Sequence, residues 1–175
     1  MRIESDVERL VRVTEQKLGP VDVLVNSAGV YHFGELAGCT AEDFDRVVET
    51  NLKGTFLMCR AVLGSMRNRG RGHIINVASI AGKVGTANRS IYCASKFGVV
   101  GLTEALGQEV REQGIRVSVI CPGSTNTSFS PKEVEGKSRD RMLQPEDVAH
   151  AVRMLVGQAA NSFISEVVMR PARKP

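Results

Sequence analysis

Apolar positions along this chain alternate between two rhythms, the spacing of an amphipathic helix and the short unbroken run of a buried strand. Val7, Leu10, Val11 and Leu18 form a first helical stripe, opened by a capping box in which Ser5 is the N-cap and Glu8 stands at N3. Gly19 and Pro20 stop that helix. Residues 21–25, all apolar but Asp22, predict a short strand, and residues 26–29 turn the chain out at its carboxyl end. A second cap at Thr40-Ala41-Glu42-Asp43 opens a long helix with Phe44, Val47, Val48, Leu52 and Phe56 on a broad apolar face, ending near Arg69 and Gly70.

The pattern then repeats. Residues 73–78 predict a buried strand, residues 80–89 a glycine-containing loop, and residues 90–113 a helix carrying Tyr92 and Lys96. Residues 115–120 predict a third strand. After Pro122 and Gly123 the stretch 124–143 is polar and lacks apolar periodicity, as expected of a flexible lid near 124–144. Gln144-Pro145-Glu146-Asp147 starts a helix through Leu155, and residues 163–169 predict a fourth strand. Strands separated by helices imply parallel pairing through right-handed crossovers, hence an open α/β sheet. No internal repeat is visible.

Composition narrows the function classes. The 175 residues suit a single domain, 1–175, and 42% hydrophobic with 24% charged residues is globular usage with no membrane-spanning run. The amino-terminal residues lack the apolar core of a secretory signal, so a cytoplasmic location is expected and no membrane partner. The four cysteines, Cys39, Cys59, Cys93 and Cys121, are widely spaced in apolar surroundings, as reduced thiols are, and His32, His73 and His150 have no metal-ligand spacing. The net charge of +4 gathers around residues 67–71 and 170–174 without interleaved aromatics, so no nucleic-acid partner is expected.

Candidate chemistry centres on Tyr92 and Lys96. Four residues apart on a helix, the phenol and the ammonium share one face, and a nearby cation lowers a tyrosine pKa so that a proton can pass to or from a substrate oxygen. The same spacing also fits an ordinary exposed helix turn, and Ser79, ending a strand, fits a simple cap. Asn51, among Val48, Leu52 and Phe56, fits a polar residue facing solvent.

Ser79, Tyr92 and Lys96, with Asn26-Ser27-Ala28-Gly29 after one strand, Asn51 within a helix, and residues 122–127 after another strand, resemble the short-chain dehydrogenase/reductase family in order and spacing. The resemblance runs from about Ser5 to the end. It implies a Rossmann-like doubly wound parallel sheet, here partial, because the family's glycine-rich turn and its first βαβαβ unit do not occur in these residues. It implies an oxidoreductase moving a hydride between NAD or NADP and a carbonyl or secondary alcohol of a small-molecule substrate. Tyr92 would be the general acid or base, Ser79 would hydrogen-bond the reacting oxygen, Lys96 would lower the tyrosine pKa and hold the nicotinamide ribose, and Asn51 would interrupt its helix and seat a relay water. Asn26, Ala28 and Gly29 would line the cofactor, and Pro122, Gly123, Thr125 and Thr127 would hold its nicotinamide end. Ser27 replaces the usual second asparagine.

The family's glycine turn anchors the pyrophosphate at a helix N-terminus. Without it, several charge-assisted contacts are missing, at a cost of about 4 kcal/mol or more, roughly a thousandfold in affinity. The strand at 21–25 becomes a sheet edge, and the resemblance implies a homodimer or homotetramer through the long helices. Two alternatives stay open: a cofactor-independent serine esterase reusing Ser79, Tyr92 and Lys96, and a catalytically inactive truncated remnant.

Overall fold

In the computed structural model, residues 2–129 and 139–175 are described. Their order is α1 (Glu4–Leu18), β1 (Val23–Asn26), α2 (Ala41–Val48), a π-helical turn (Glu49–Lys53), α3 (Gly54–Arg69), β2 (Gly72–Val77), α4 (Ser90–Val110), β3 (Ile115–Pro122), α5 (Pro145–Val156) and β4 (Glu166–Met169). The strands pair in parallel in the order β1-β2-β3-β4, with Leu24 beside Ile74, Ile74 beside Val117, and Ile120 beside Val167. Parallel pairing follows from the helices between the strands, which return the chain to the same end of the sheet.

Side chains alternate across the strands and divide the core. Leu24, Ile74 and Val117 face α1, α3 and α4, packing with Val7, Leu57, Val62, Met66, Leu106 and Val110. Ile75, Ile120 and Val167 lie on the opposite face, against Ala151 and Leu155 of α5. Helices therefore cover both faces, which makes the sheet doubly wound. The strand order advances in one direction throughout, yet α5 crosses on the other face from α3 and α4. Its crossover consequently has the opposite hand to the first two, where one hand was expected for all three. The segment between β3 and α5 is long enough to carry the chain across the sheet's end before the helix begins.

Capping chemistry explains most boundaries. Thr40 and Asp43 form the reciprocal cap on α2, and Gln144 and Asp147 do the same for α5. Gly70, at φ 61°, closes α3 in the left-handed conformation that glycine adopts without strain. The first helix departs from expectation: it begins at Glu4 with Ile3 as N-cap and no side-chain cap, so Ser5 lies inside it. Only Val7 and Val11 of its predicted stripe are buried, whereas Leu10 and Leu18 are 51% and 84% exposed.

Strand β1 is an edge, as expected. It pairs only with β2, and its outward valines, Val23 and Val25, are exposed while Leu24 and Asn26 are buried. Helix α1 does not fold across this edge but packs beside α3. Residues 130–138 of the expected lid lie outside the described residues. The two flanks of that segment are tied together: Asn126 N donates to Leu143 O at 2.8 Å, and Leu143 N donates to Ser124 O at 3.0 Å.

Candidate active site at the carboxyl ends of the strands

Ligands of open α/β sheets sit beyond the carboxyl ends of the strands. Asn26 ends β1, Ser79 follows β2, and Pro122 ends β3, while α4 starts at the same end and carries Tyr92 and Lys96 in its first two turns. A short turn, Ile80–Gly82, joins these elements, with Ser79 as its N-cap accepting from Ala81 N at 3.1 Å. Gly82 permits its close approach to α4, because a Cβ there would stand 2.6 Å from the Lys96 carbonyl oxygen. That contact holds Ser79 beside Tyr92.

The phenol of Tyr92 is 7% exposed. Burial pushes its pKa up to about 12, opposed most by a hydrogen bond with the Ser79 hydroxyl. The Lys96 ammonium lies 5.9 Å from the Tyr92 ring centroid, so the predicted shared face is real. Its influence is different from that expected. Lys96 Nζ turns away to donate to Val77 O at 3.0 Å, and its own pKa falls to about 8 because burial disfavours the charged form. The tyrosine pKa is raised rather than lowered in this arrangement, chiefly by desolvation.

Asn51 does not face solvent. It is 1% exposed and sits in the π-helical turn Glu49–Lys53, so the helix is interrupted there as expected. Its Oδ1 accepts from Val30 N at 2.7 Å, and its Nδ2 donates to Val30 O at 2.9 Å and to Ser95 Oγ at 3.0 Å. Ser95 in turn donates to Tyr92 O at 2.8 Å. One amide thus ties the loop after β1 to the first turn of the helix bearing Tyr92.

Asn26, expected to line the cofactor, turns its side-chain amide into the sheet. Its side chain is buried within the sheet, donating to Asn76 Oδ1 at 2.9 Å and to Cys59 Sγ at 3.4 Å. Asn76 Nδ2 continues to Thr103 Oγ1 at 2.9 Å, and Thr103 donates to Val99 O at 2.6 Å. The amide of Asn26 is spent on cross-linking strands to α3 and α4. Ala28 is exposed and Gly29 half-buried at the mouth of the crevice, where a Cβ on Gly29 would lie 3.2 Å from Asn51 Oδ1. On the other side, Gly123 N donates to Met169 O at 2.8 Å, Thr125 Oγ1 donates to Gly123 O at 3.1 Å, and Thr127 is half-buried.

Three residues escaped the sequence reading. Tyr31 packs on Tyr92 with ring centroids 4.8 Å apart, and Phe129 meets both rings at 6.1 and 6.3 Å. Ser95 is the third; its signal was its place three residues after Tyr92 on the same helix. Tyr31 and Phe129 had none, since they are isolated aromatics in polar loops that meet only after folding. Two clefts lie elsewhere, one of about 530 Å³ between α1 and α3 and one of about 460 Å³ between α4 and β3. Neither touches Ser79, Tyr92 or Lys96; the convergence of titratable groups, not concavity, marks the candidate site.

Comparison with known proteins agrees with the geometry. The chain is 37% identical over 167 residues to a sepiapterin reductase of Chlorobaculum tepidum, covering 95% of this chain and 68% of that protein. It is 35% identical over 161 residues to a D-beta-hydroxybutyrate dehydrogenase of Rhizobium meliloti, covering 92% and 62%. Its fold superposes on the structure of ElxO with NADP bound at a TM-score of 0.87, with 27% identity over 97% of this chain and 73% of that one. A metagenomic short-chain oxidoreductase in complex with NADP superposes at 0.83, with 35% identity over 99% and 72%. Residues 1–138 match the family described as short chain dehydrogenase, and with these relatives they establish that the chain belongs to it.

Proposed function

We propose that the protein transfers a hydride between a nicotinamide dinucleotide, NAD or NADP, and a carbonyl or secondary alcohol, with Tyr92 exchanging the proton. The observation carrying this reading is the convergence of the Ser79 hydroxyl, the Tyr92 phenol and the Lys96 ammonium at the carboxyl end of β2. The bound dinucleotide supplies or accepts the hydride. The residues present fit its nicotinamide-ribose end: Lys96 Nζ carries three donors and donates to Val77 O, which leaves capacity for ribose hydroxyls. The NADP complexes of ElxO and the metagenomic oxidoreductase, and the reductase and dehydrogenase names of the relatives, support the same reading.

In the reducing direction, Tyr92 at a pKa of about 12 is a neutral phenol and ready to donate. Ser79 fixes the phenol and offers its hydroxyl to the same substrate oxygen, so that both donors face charge as it develops. Lys96, at about 8, gains and loses its proton within the ordinary pH range and can restore the phenol. Asn51 holds the helix start through Ser95 and clamps Val30; a water seated at its turn is part of the proposal. The esterase alternative has less support, because no hydrogen-bonded base besides the neutral Tyr92 phenol faces Ser79 among the described residues.

The deciding experiment is steady-state reduction and oxidation of a panel of ketones and alcohols with NADH, NADPH and their oxidised forms. Tyr92→Phe should lose about 10²- to 10⁴-fold in turnover. Unchanged turnover in that variant would refute the acid-base role, and an acyl adduct on Ser79 by mass spectrometry would revive the esterase. Self-association belongs to the same proposal: the exposed Phe44, Phe56 and Phe97 on α2, α3 and α4, with the open edge of β1, favour a second copy. Light scattering should find at least a dimer, and a monodisperse monomer would contradict it.

A further inference from the structure

Away from the crevice, one nucleophile is arranged with a base and a carboxylate. Cys39 ends the short turn Leu36–Gly38 and immediately precedes Thr40, the N-cap of α2. Its Sγ lies 3.9 Å from His32 Nδ1 and 3.3 Å from the Glu35 carbonyl oxygen, to which the thiol donates. The other ring nitrogen, Nε2, lies 3.6 Å from Asp43 Oδ2. The two nitrogens thus face different partners. A carboxylate beside Nε2 keeps the ring proton on that side and leaves the Nδ1 lone pair toward the sulfur. Asp43 stays ionised, its carboxyl held below the usual range chiefly by the backbone N–H of Thr40 and additionally by Arg46 and His32.

Accessibility separates Cys39 from the other thiols. Cys59, Cys93 and Cys121 are buried, and burial pushes the thiols of Cys59 and Cys121 upward. Cys39 is only half-buried, and Leu36 beside it is 66% exposed. The imidazole is enclosed, with its side chain 13% exposed, which holds the base in place beside the half-buried Cys39.

We propose that Cys39 is a thiol-modification site for low-molecular-weight disulfides, with His32 as its base and Asp43 as the residue that positions the imidazole. Rotation about the Cβ–Sγ bond swings the thiol hydrogen from Glu35 O to His32 Nδ1 without moving a heavy atom. The proton passes to Nδ1, and the thiolate attacks one sulfur of the disulfide. A new S–S bond forms at Cys39 as the old one breaks, and the departing thiolate takes the proton from His32. Cys39 is oxidised and the departing half is reduced, so no further oxidant enters.

The test is reaction of the folded protein with oxidised glutathione, mapped by peptide mass, and with a chromogenic aryl disulfide to give rates. The mixed disulfide should form first on Cys39. His32→Gln should slow its formation at neutral pH by about tenfold or more, and Asp43→Asn, which can still cap α2, should slow it by a smaller factor. Circular dichroism checks that each variant is folded; an unfolded variant would label all of its cysteines together, and the remaining variant then decides. Early labelling of Cys59, Cys93 or Cys121, or a Cys39 rate unchanged by the folded variants, overturns the assignment.

Discussion

Two polar assemblies lie near the carboxyl end of β2, and they differ in whether their capacity is used up. In the first, Asn26, Asn76, Cys59 and Thr103 bond to one another and to Val99 O, joining two strands to two helices. In the second, Tyr92 and Lys96 are buried and Ser79 half-buried, yet Lys96 donates to one carbonyl with three N–H groups and both Tyr92 and Lys96 are moved far from their usual pKa values. A saturated network stabilises, because each buried group has found its partner. An unsaturated one keeps capacity for a ligand and is held at a cost in stability.

The sharpest test of that contrast is Lys96→Met. Its folded pKa of about 8 lies below the unfolded 10.5, so at pH 7 the buried ammonium opposes folding. Between those values the unfolded state binds the extra proton, and this group's contribution makes stability rise with pH across that window. Removing the charge should cost about 10²-fold or more in turnover while raising stability by about 1–3 kcal/mol at pH 7, in urea unfolding. Loss of both activity and stability would place Lys96 with the structural network instead.

Cofactor affinity is a second test on the same side. Because no glycine-rich turn occurs in these residues, the 175-residue chain should bind NADH or NADPH about a thousandfold more weakly than full contact with the pyrophosphate would allow. Micromolar binding in calorimetry would mean that the crevice between Gly29 and Gly123 suffices.

Asn76→Ala probes the saturated side. Asn76 is fully buried, and truncation leaves the Asn26 amide and the Thr103 hydroxyl short of a partner. The expected cost is about 2–3 kcal/mol in urea unfolding, with turnover per folded molecule nearly unchanged. A large fall in turnover at unchanged stability would show that this network serves the chemistry directly.

A smaller effect comes from His73, which lies outside both assemblies and contacts Ser118 Oγ at 2.9 Å. Burial lowers its pKa from 6.5 to about 4, so the unfolded state takes up the proton first as pH falls. Its contribution to stability, present above pH 6.5, should decline by about 2 kcal/mol on going to about pH 4.5. His73→Gln should flatten that part of the pH profile; an unchanged slope would assign the acid sensitivity to carboxylates.

Much of this was legible because the signals are local. Apolar spacing located all four strands to within a few residues, and reciprocal caps located the starts of α2 and α5, since both depend on neighbours a few positions away. Chain order and spacing were likewise enough to single out Ser79, Tyr92 and Lys96 and to name the family they resemble.

Tertiary structure decided whatever depends on contacts between distant residues. It turned Asn26 inward to Asn76, brought Tyr31 and Phe129 onto Tyr92, and gave the last crossover the opposite hand. It also reversed the expected shift of the Tyr92 pKa. Helical spacing places an ammonium near a phenol, but only the packed protein sets how far water is excluded from the phenol, and here that exclusion outweighs proximity.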